Sequence, residues 1–194
     1  MSHNPAAPSR GRNVRGIVAV VGILGALVAA GFLAWNAANR LPDLSRFDPA
    51  IEAAAREFRL DADLLRGLAA AESGGDPDAV SGAGARGLLQ LMPATAREQA
   101  SRLGLAAPPD EGLFLPELNL RLGASYLASL LRRYEGSEAF AVAAYHAGPT
   151  RVDRWRGALP GADPMTVIER EAFPETRAHV RRVLSFRDRY RNRR

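Results

Sequence analysis

The sequence predicts an all-α fold preceded by one N-terminal membrane-spanning helix, and three observations carry that prediction. No alternating apolar–polar pattern of useful length occurs in the 194 residues, so no strand is expected. Apolar residues recur instead at helical spacings, most regularly over 119–134 through Leu120, Gly123, Leu127 and Leu130. Residues 16–35 carry no charge at all. As a helix they span about 30 Å, the thickness of a bilayer core.

The segment before that stretch carries Arg10, Arg12 and Arg15, whereas Arg40, Asp43, Arg46 and Asp48 follow it. This asymmetry places the N-terminus, residues 1–15, in the cytoplasm and exports the remainder. A cleavable signal peptide is the rival reading, but its apolar region is shorter and ends in a small-x-small site. Here the exit is Trp35-Asn36-Ala37-Ala38-Asn39, which suits cleavage poorly. An uncleaved signal anchor over 16–38 is therefore expected, with residues 39–47 as a linker. Eight extended residues reach at most about 28 Å, which would hold the exported part close to the membrane.

Charge is unevenly divided. Residues 1–40 hold four Arg and no acid, residues 41–176 hold 14 Arg and 20 acids, and residues 177–194 hold eight Arg and one Asp. The acidic body argues against a nucleic-acid-binding face there. The Arg-rich end, 187–194, is expected to be a solvated tail. All 26 basic residues are Arg, which reads as a compositional bias of the source. There is no cysteine, so disulfides and a lipid-modified N-terminal cysteine are excluded. About 150 exported residues suffice for one domain stabilised by its core.

Within the exported part, residues 49–58 form a first helix. Asp61 caps a second, which carries Glu72 and ends at Gly74-Gly75. Residues 74–86, rich in Gly, Asp and Ser, form a loop. Pro93 opens a helix that ends near Gly104, and a second loop covers 106–115. The periodic helix over 119–134 closes at Gly136. Ser137 then caps a helix over 138–146 with almost no polar face, which must be central and buried. Gly148-Pro149 stops it. A last amphipathic helix covers 174–190 through His179, Val183, Phe186 and Tyr190.

Glu72 is the residue of chemical interest. Ala69, Leu68, Leu65 and Leu64 share its helical face, so a carboxyl group ends an apolar stripe. Burial disfavours the charged form of such a group, and a protonated carboxylic acid is what an enzyme needs to protonate a leaving oxygen. Periodicity alone fits equally well a charged last-turn residue that reaches water.

Several separated blocks, in order, then resemble the lytic transglycosylase domain of the soluble-lytic-transglycosylase (SLT) family. They are Glu72-Ser73, Ser81, Gly84-Ala85, the run from Gly87 to Pro93, Thr95-Ala96, Asn119-Leu120, Gly123, Tyr126-Leu127 and Leu130-Leu131. They continue at Ala143 to Pro149, Arg151-Val152, Trp155, Glu169 and Phe173 to Arg177, covering residues 48–186. The resemblance implies a lysozyme-like helical domain of the goose-type-lysozyme kind. Its groove would hold peptidoglycan glycan strands in the periplasm, with the anchor in a bacterial inner membrane.

By the same resemblance Glu72 is the single catalytic acid and base, and no metal or cofactor is needed. The bond cleaved is the β-1,4 link between N-acetylmuramic acid and N-acetylglucosamine. The sugar's own C6 hydroxyl attacks C1, leaving a 1,6-anhydro end. Ser73, Ser81, Gln90, Met92, Tyr145, His146 and Glu169 match groove positions. The match places Ser81 beside the acid, gives Gln90 and Met92 to the sugars, and has Tyr145 hydrogen-bond Glu72. For Ser81 alone a turn role, and for Met92 alone a core role, fits as well. Asp76 and Asp78 read as loop and capping groups.

Three departures stand out. His146 replaces the family's Asn, Gly74-Gly75 stand where an aromatic usually follows the acid, and Glu171-Ala172 replace Ile-Pro before Phe173. Two rival functions remain open on sequence: a goose-type-like lysozyme that transfers to water, and an idle glycan-binding scaffold of an envelope-spanning complex with a protein partner.

Overall fold

In the computed structural model, which describes residues 40–193, the second helix of the domain sets the arrangement of the rest. Helix α1 is Asp48–Phe58 and α2 is Ala62–Ser73. Helix α2 starts where the Asp61 carboxylate accepts the Asp63 N–H at 2.8 Å, and it stops at Gly74, whose φ of 66° is left-handed. Leu64, Leu65, Leu68 and Ala69 are all buried, as the stripe requires.

Chain order continues with α3 (Pro93–Arg102), α4 (Pro116–Arg133), α5 (Glu138–Ala147), α6 (Pro149–Ala158), α7 (Pro164–Glu171) and α8 (Pro174–Arg191). Among the described residues there is no β-strand, only isolated bridges of Arg86 with Val80 and with Leu91. The all-α expectation holds for the domain. Ser137 caps α5 by accepting the Phe140 N–H, and residues 139–144 are all buried. Five of those six are small enough for α4, α6, α7 and α8 to pack round that helix. Helix α4 starts at Pro116, three residues before the expected Asn119, because Pro at the first helical position loses no hydrogen bond.

Two helices were not expected between Gly148 and Pro174. Helices α6 and α7 each bury only two side chains, Val152 with Trp155 and Val167 with Ile168, too few for a periodic stripe. Their starts were nevertheless written in Pro149, Pro164 and the Asp163 cap, which accepts the Met165 and Thr166 N–H groups. The loop expected over 106–115 contains a 3₁₀ turn, Asp110–Phe114, that buries Leu113.

The expected linker is corrected at residues 41–47. Leu41, Leu44 and Phe47 are buried in the core, residues Ser45–Phe47 form a 3₁₀ turn, and the Pro42 carbonyl accepts the Tyr190 hydroxyl at 2.6 Å. Three apolar residues spaced by three bury together, so the reach of an extended chain does not apply to them. The expected tail is corrected too. Helix α8 runs to Arg191, Tyr190 is buried, and Arg187 and Arg191 pair with Glu138 and Asp61. The membrane-spanning segment at 16–38 lies outside the described residues. Among those described, no helix is long and apolar enough to cross a membrane.

Helices α2 and α8 make the most extensive pairing in the fold, and Gly67 is why. A Cβ there would stand 2.6 Å from the Val183 carbonyl oxygen and 2.8 Å from the Arg187 nitrogen. Both neighbours are backbone and cannot yield without parting the helices. Gly67→Ala gains about 1 kcal/mol of helix propensity but overpacks this contact. We expect a net loss of about 1–3 kcal/mol in denaturant unfolding. A variant as stable as the parent would refute the close contact.

Candidate active site

Glu72 occupies the last turn of α2, and its carboxylate is 13% exposed at the end of the buried stripe. The close approach of α8 brings two groups to it. His179, whose side chain is 4% exposed, places Nε2 at 3.3 Å from Glu72 Oε1. The two are not aligned as a hydrogen bond, and Nε2 has no hydrogen-bond partner. One turn further along α8, the Arg182 guanidinium donates to the Ala71 carbonyl at 2.7 Å, at the C-terminal end of α2.

His146, near the end of α5, completes the cluster. Its ring stacks on that of His179, with centroids 4.4 Å apart and planes 16° from parallel. One ligating atom each from Glu72, His146 and His179 lies within 4.8 Å of the others. Burial holds the His146 pKa below the ordinary value. The neighbouring His179 and Arg182 act in the same direction, against Glu72 and Glu175. His179 is the functional residue that sequence reasoning missed as such. It was read as one member of a buried stripe. The signal was the same as for Glu72: a titratable group on an apolar face.

The loop opposite is pinned by a buried amide. Asn119 Oδ1 accepts the Leu89 N–H at 2.8 Å, while Nδ2 donates to the Arg86 and Leu113 carbonyls, each at 2.9 Å. One side chain thus fixes all three of these backbone groups. Gly87, at φ 75°, admits this approach; a Cβ there would lie 2.4 Å from Asn119 Nδ2. Gly123 does the same for Leu89, whose side chain would stand 2.3 Å from an added Cβ.

The structure sorts the other expected site residues. The Tyr145 hydroxyl donates to the Leu89 carbonyl at 2.9 Å and not to Glu72, which corrects the expected bond. The nearest strong acceptor is a backbone oxygen held in place by the Asn119 clamp. Burial raises the Tyr145 pKa well above the usual tyrosine value, and the Glu72 charge adds to it, so the phenol keeps its proton. Ser73 is used in ending α2: its hydroxyl donates to the Ala69 carbonyl and accepts the Gly75 N–H. Ser81 accepts the Ala85 N–H at 3.0 Å, the turn role rather than a bond to the acid.

Gln90 sits at φ 44° and spends its amide nitrogen on the Ala79 and Gly87 carbonyls, so its donor side shapes the loop. Met92 is 41% exposed, as a groove-lining residue would be and a core residue would not. Glu169 pairs through its carboxylate with Arg181, and its carbonyl accepts from Arg177 at 2.7 Å. It ties α7 to α8. Asp76 accepts the Asp78 N–H, a loop role as expected. The Gly74-Gly75 departure also has a local reason. Both have left-handed φ, and a Cβ on Gly75 would lie 2.7 Å from the buried Leu44 side chain.

Comparison with known proteins agrees with this fold. The Transglycosylase SLT domain model matches residues 49–164. The soluble lytic murein transglycosylase of Escherichia coli K12 is 36% identical over 126 residues, covering 64% of this chain and 20% of that protein. The endo-type membrane-bound lytic murein transglycosylase A of Klebsiella pneumoniae is 37% identical over 98 residues, covering 50% of this chain and 48% of that protein.

Among solved structures, the lytic transglycosylase Slt of Pseudomonas aeruginosa superposes with a TM-score of 0.69 at 34% identity, over 75% of this chain and 24% of that one. That structure is of an inactive mutant in which a glutamate is replaced by glutamine. The 70 kDa soluble lytic transglycosylase of Escherichia coli gives a TM-score of 0.72 at 30% identity, with the same coverage. The chain spans only about a fifth of the length of the curated soluble relatives it matches.

The electrostatics yield a direct check. In an NMR titration the His146 imidazole is expected to protonate below 6.5, the ordinary histidine value, because burial and His179 both disfavour its charge. Its protonation in the folded protein is therefore resisted, and the neutral ring persists as pH falls through that value. His179→Gln removes that neighbour and should move the midpoint upward. A His146 midpoint above 6.5 would contradict the described environment.

Proposed function

The chain belongs to the transglycosylase SLT family, and from that premise we propose that it is a peptidoglycan lytic transglycosylase anchored in a bacterial inner membrane. Its domain cleaves the β-1,4 bond between N-acetylmuramic acid and N-acetylglucosamine. The observation that carries this reading is Glu72: a nearly buried carboxyl group at the end of an apolar helix face, still open to solvent at one edge.

Protonated Glu72 gives its proton to the glycosidic oxygen as the bond to C1 breaks and an oxocarbenium-like state develops. The carboxylate so formed takes the proton of the C6 hydroxyl, whose oxygen closes on C1. The proton count returns to its start, and no water is consumed. Ordinary glycosidases need a second carboxylate to activate water or to form a covalent intermediate. A nucleophile carried by the substrate removes that need. The placement of the other acids fits: Asp76 serves the loop and Glu169 is paired with Arg181.

Around the acid, α8 supplies His179 as a wall and Arg182 as a strut on the end of α2. Met92 offers apolar contact to a sugar face. His146, exposed beside the acid, stands where it can hydrogen-bond substrate through a ring nitrogen. The anchor reading is supported by the uncharged run at 16–35 behind three arginines. A local cut near the membrane would serve nascent strands or an envelope-spanning assembly.

One experiment tests chemistry and location together. Membrane and soluble fractions of expressing cells are incubated with purified peptidoglycan, and the products are weighed. The proposal expects activity in the membrane fraction and 1,6-anhydro ends. Products heavier by one water would show hydrolysis of the lysozyme type, activity in the soluble fraction would remove the anchor, and no digestion would leave an idle scaffold.

A further inference from the structure

We infer that Glu72, His146 and His179 form a binding site for a divalent cation of the zinc class, which takes hold of the catalytic carboxylate and inhibits the enzyme. The inhibitory part rests on the reading of Glu72 as the acid; the site itself does not. One carboxylate oxygen and two imidazole nitrogens are a donor set that zinc accepts, leaving one open position. The three ligating atoms already lie within 4.8 Å of one another. Around an ion at about 2.0–2.1 Å from each, such atoms stand about 3.4 Å apart, so shifts of about 1 Å close the site.

A second observation points to a ligand. His179 Nε2 is buried, faces Glu72, and has no hydrogen-bond partner. A buried polar atom without a hydrogen bond is costly, and this one, 3.3 Å from Glu72 Oε1, sits where an ion would satisfy it. The imidazole planes run nearly parallel, so their lone pairs do not yet converge. His146 is the exposed member and ends a helix, so its ring can turn toward the ion while the buried His179 stays fixed. An ion held there competes directly with the proton that Glu72 must donate. It is an inhibitor and not a cofactor of the reaction.

The test uses full-length protein in detergent, stripped with a chelator. Co²⁺ is added while visible ligand-field absorption is recorded, and Zn²⁺ binding is measured by calorimetry. One saturable equivalent is expected, with affinity lowered at least about tenfold in His146→Asn and in Glu72→Gln. His146 is exposed, so that variant reports on ligation without disturbing the buried core. Zinc should slow peptidoglycan digestion, and chelator should restore it. Absence of saturable binding, or binding indifferent to both substitutions, overturns the inference. Intact metal binding in a chain that digests nothing when metal-free upholds the site and overturns only the role of Glu72 in cleavage.

Discussion

The backbone contact between α2 and α8 at Gly67 is the constraint on which the site depends. With no side chain between them, the two helices close until the Val183 carbonyl and the Arg187 nitrogen occupy the space a Cβ would need. Everything at the end of α2 follows from that separation. His179 reaches to 3.3 Å from Glu72, and Arg182 reaches the Ala71 carbonyl. The same pairing carries Tyr190 onto residues 41–47 and Arg187 onto Glu138. A wider spacing would admit water around Glu72 and loosen the neighbours that α8 supplies to it. The buried stripe that precedes the acid would then hold it less firmly.

Opposite α2, a single amide does comparable work. Asn119 holds the 86–91 loop by two hydrogen bonds and joins it to the Leu113 carbonyl by a third, and the Leu89 carbonyl it positions in turn accepts the Tyr145 hydroxyl. Tyr145 is thereby oriented through the loop and not through the acid. This places the family-like residues in two classes. Ser73, Ser81, Gln90, Tyr145 and Glu169 bond to the protein itself, while Met92 and His146 are exposed to solvent and Glu72 is half-buried.

Much of this was legible in the sequence, for identifiable reasons. The stripe from Leu64 to Glu72, the Asp61 and Ser137 caps and the prolines that open helices are local signals, and local signals survive folding. Helices α6 and α7 were not legible because two buried residues make no period. Residues 41–47 resembled a linker because three apolar residues mean burial only when a partner is known, and their partner, α8, lies at the far end of the chain. His179 was visible as a buried stripe member. Its stacking on His146 and its approach to Glu72 arise from packing between helices remote in sequence, which no local pattern encodes.

The central claim is that one carboxylate, Glu72, suffices for cleavage. Its most direct test compares Glu72→Gln with Asp76→Asn, Glu169→Gln and Glu175→Gln in digestion of purified peptidoglycan, each variant being checked for folding by circular dichroism. Glu175 belongs in the set because it is exposed and close enough to act on His146. The account predicts a loss of about 10²–10⁴-fold for Glu72→Gln alone, the range for removal of a general acid–base, with the other three retaining most of their activity. Digestion unchanged in Glu72→Gln, or an equal loss in any one of the other variants, would contradict it.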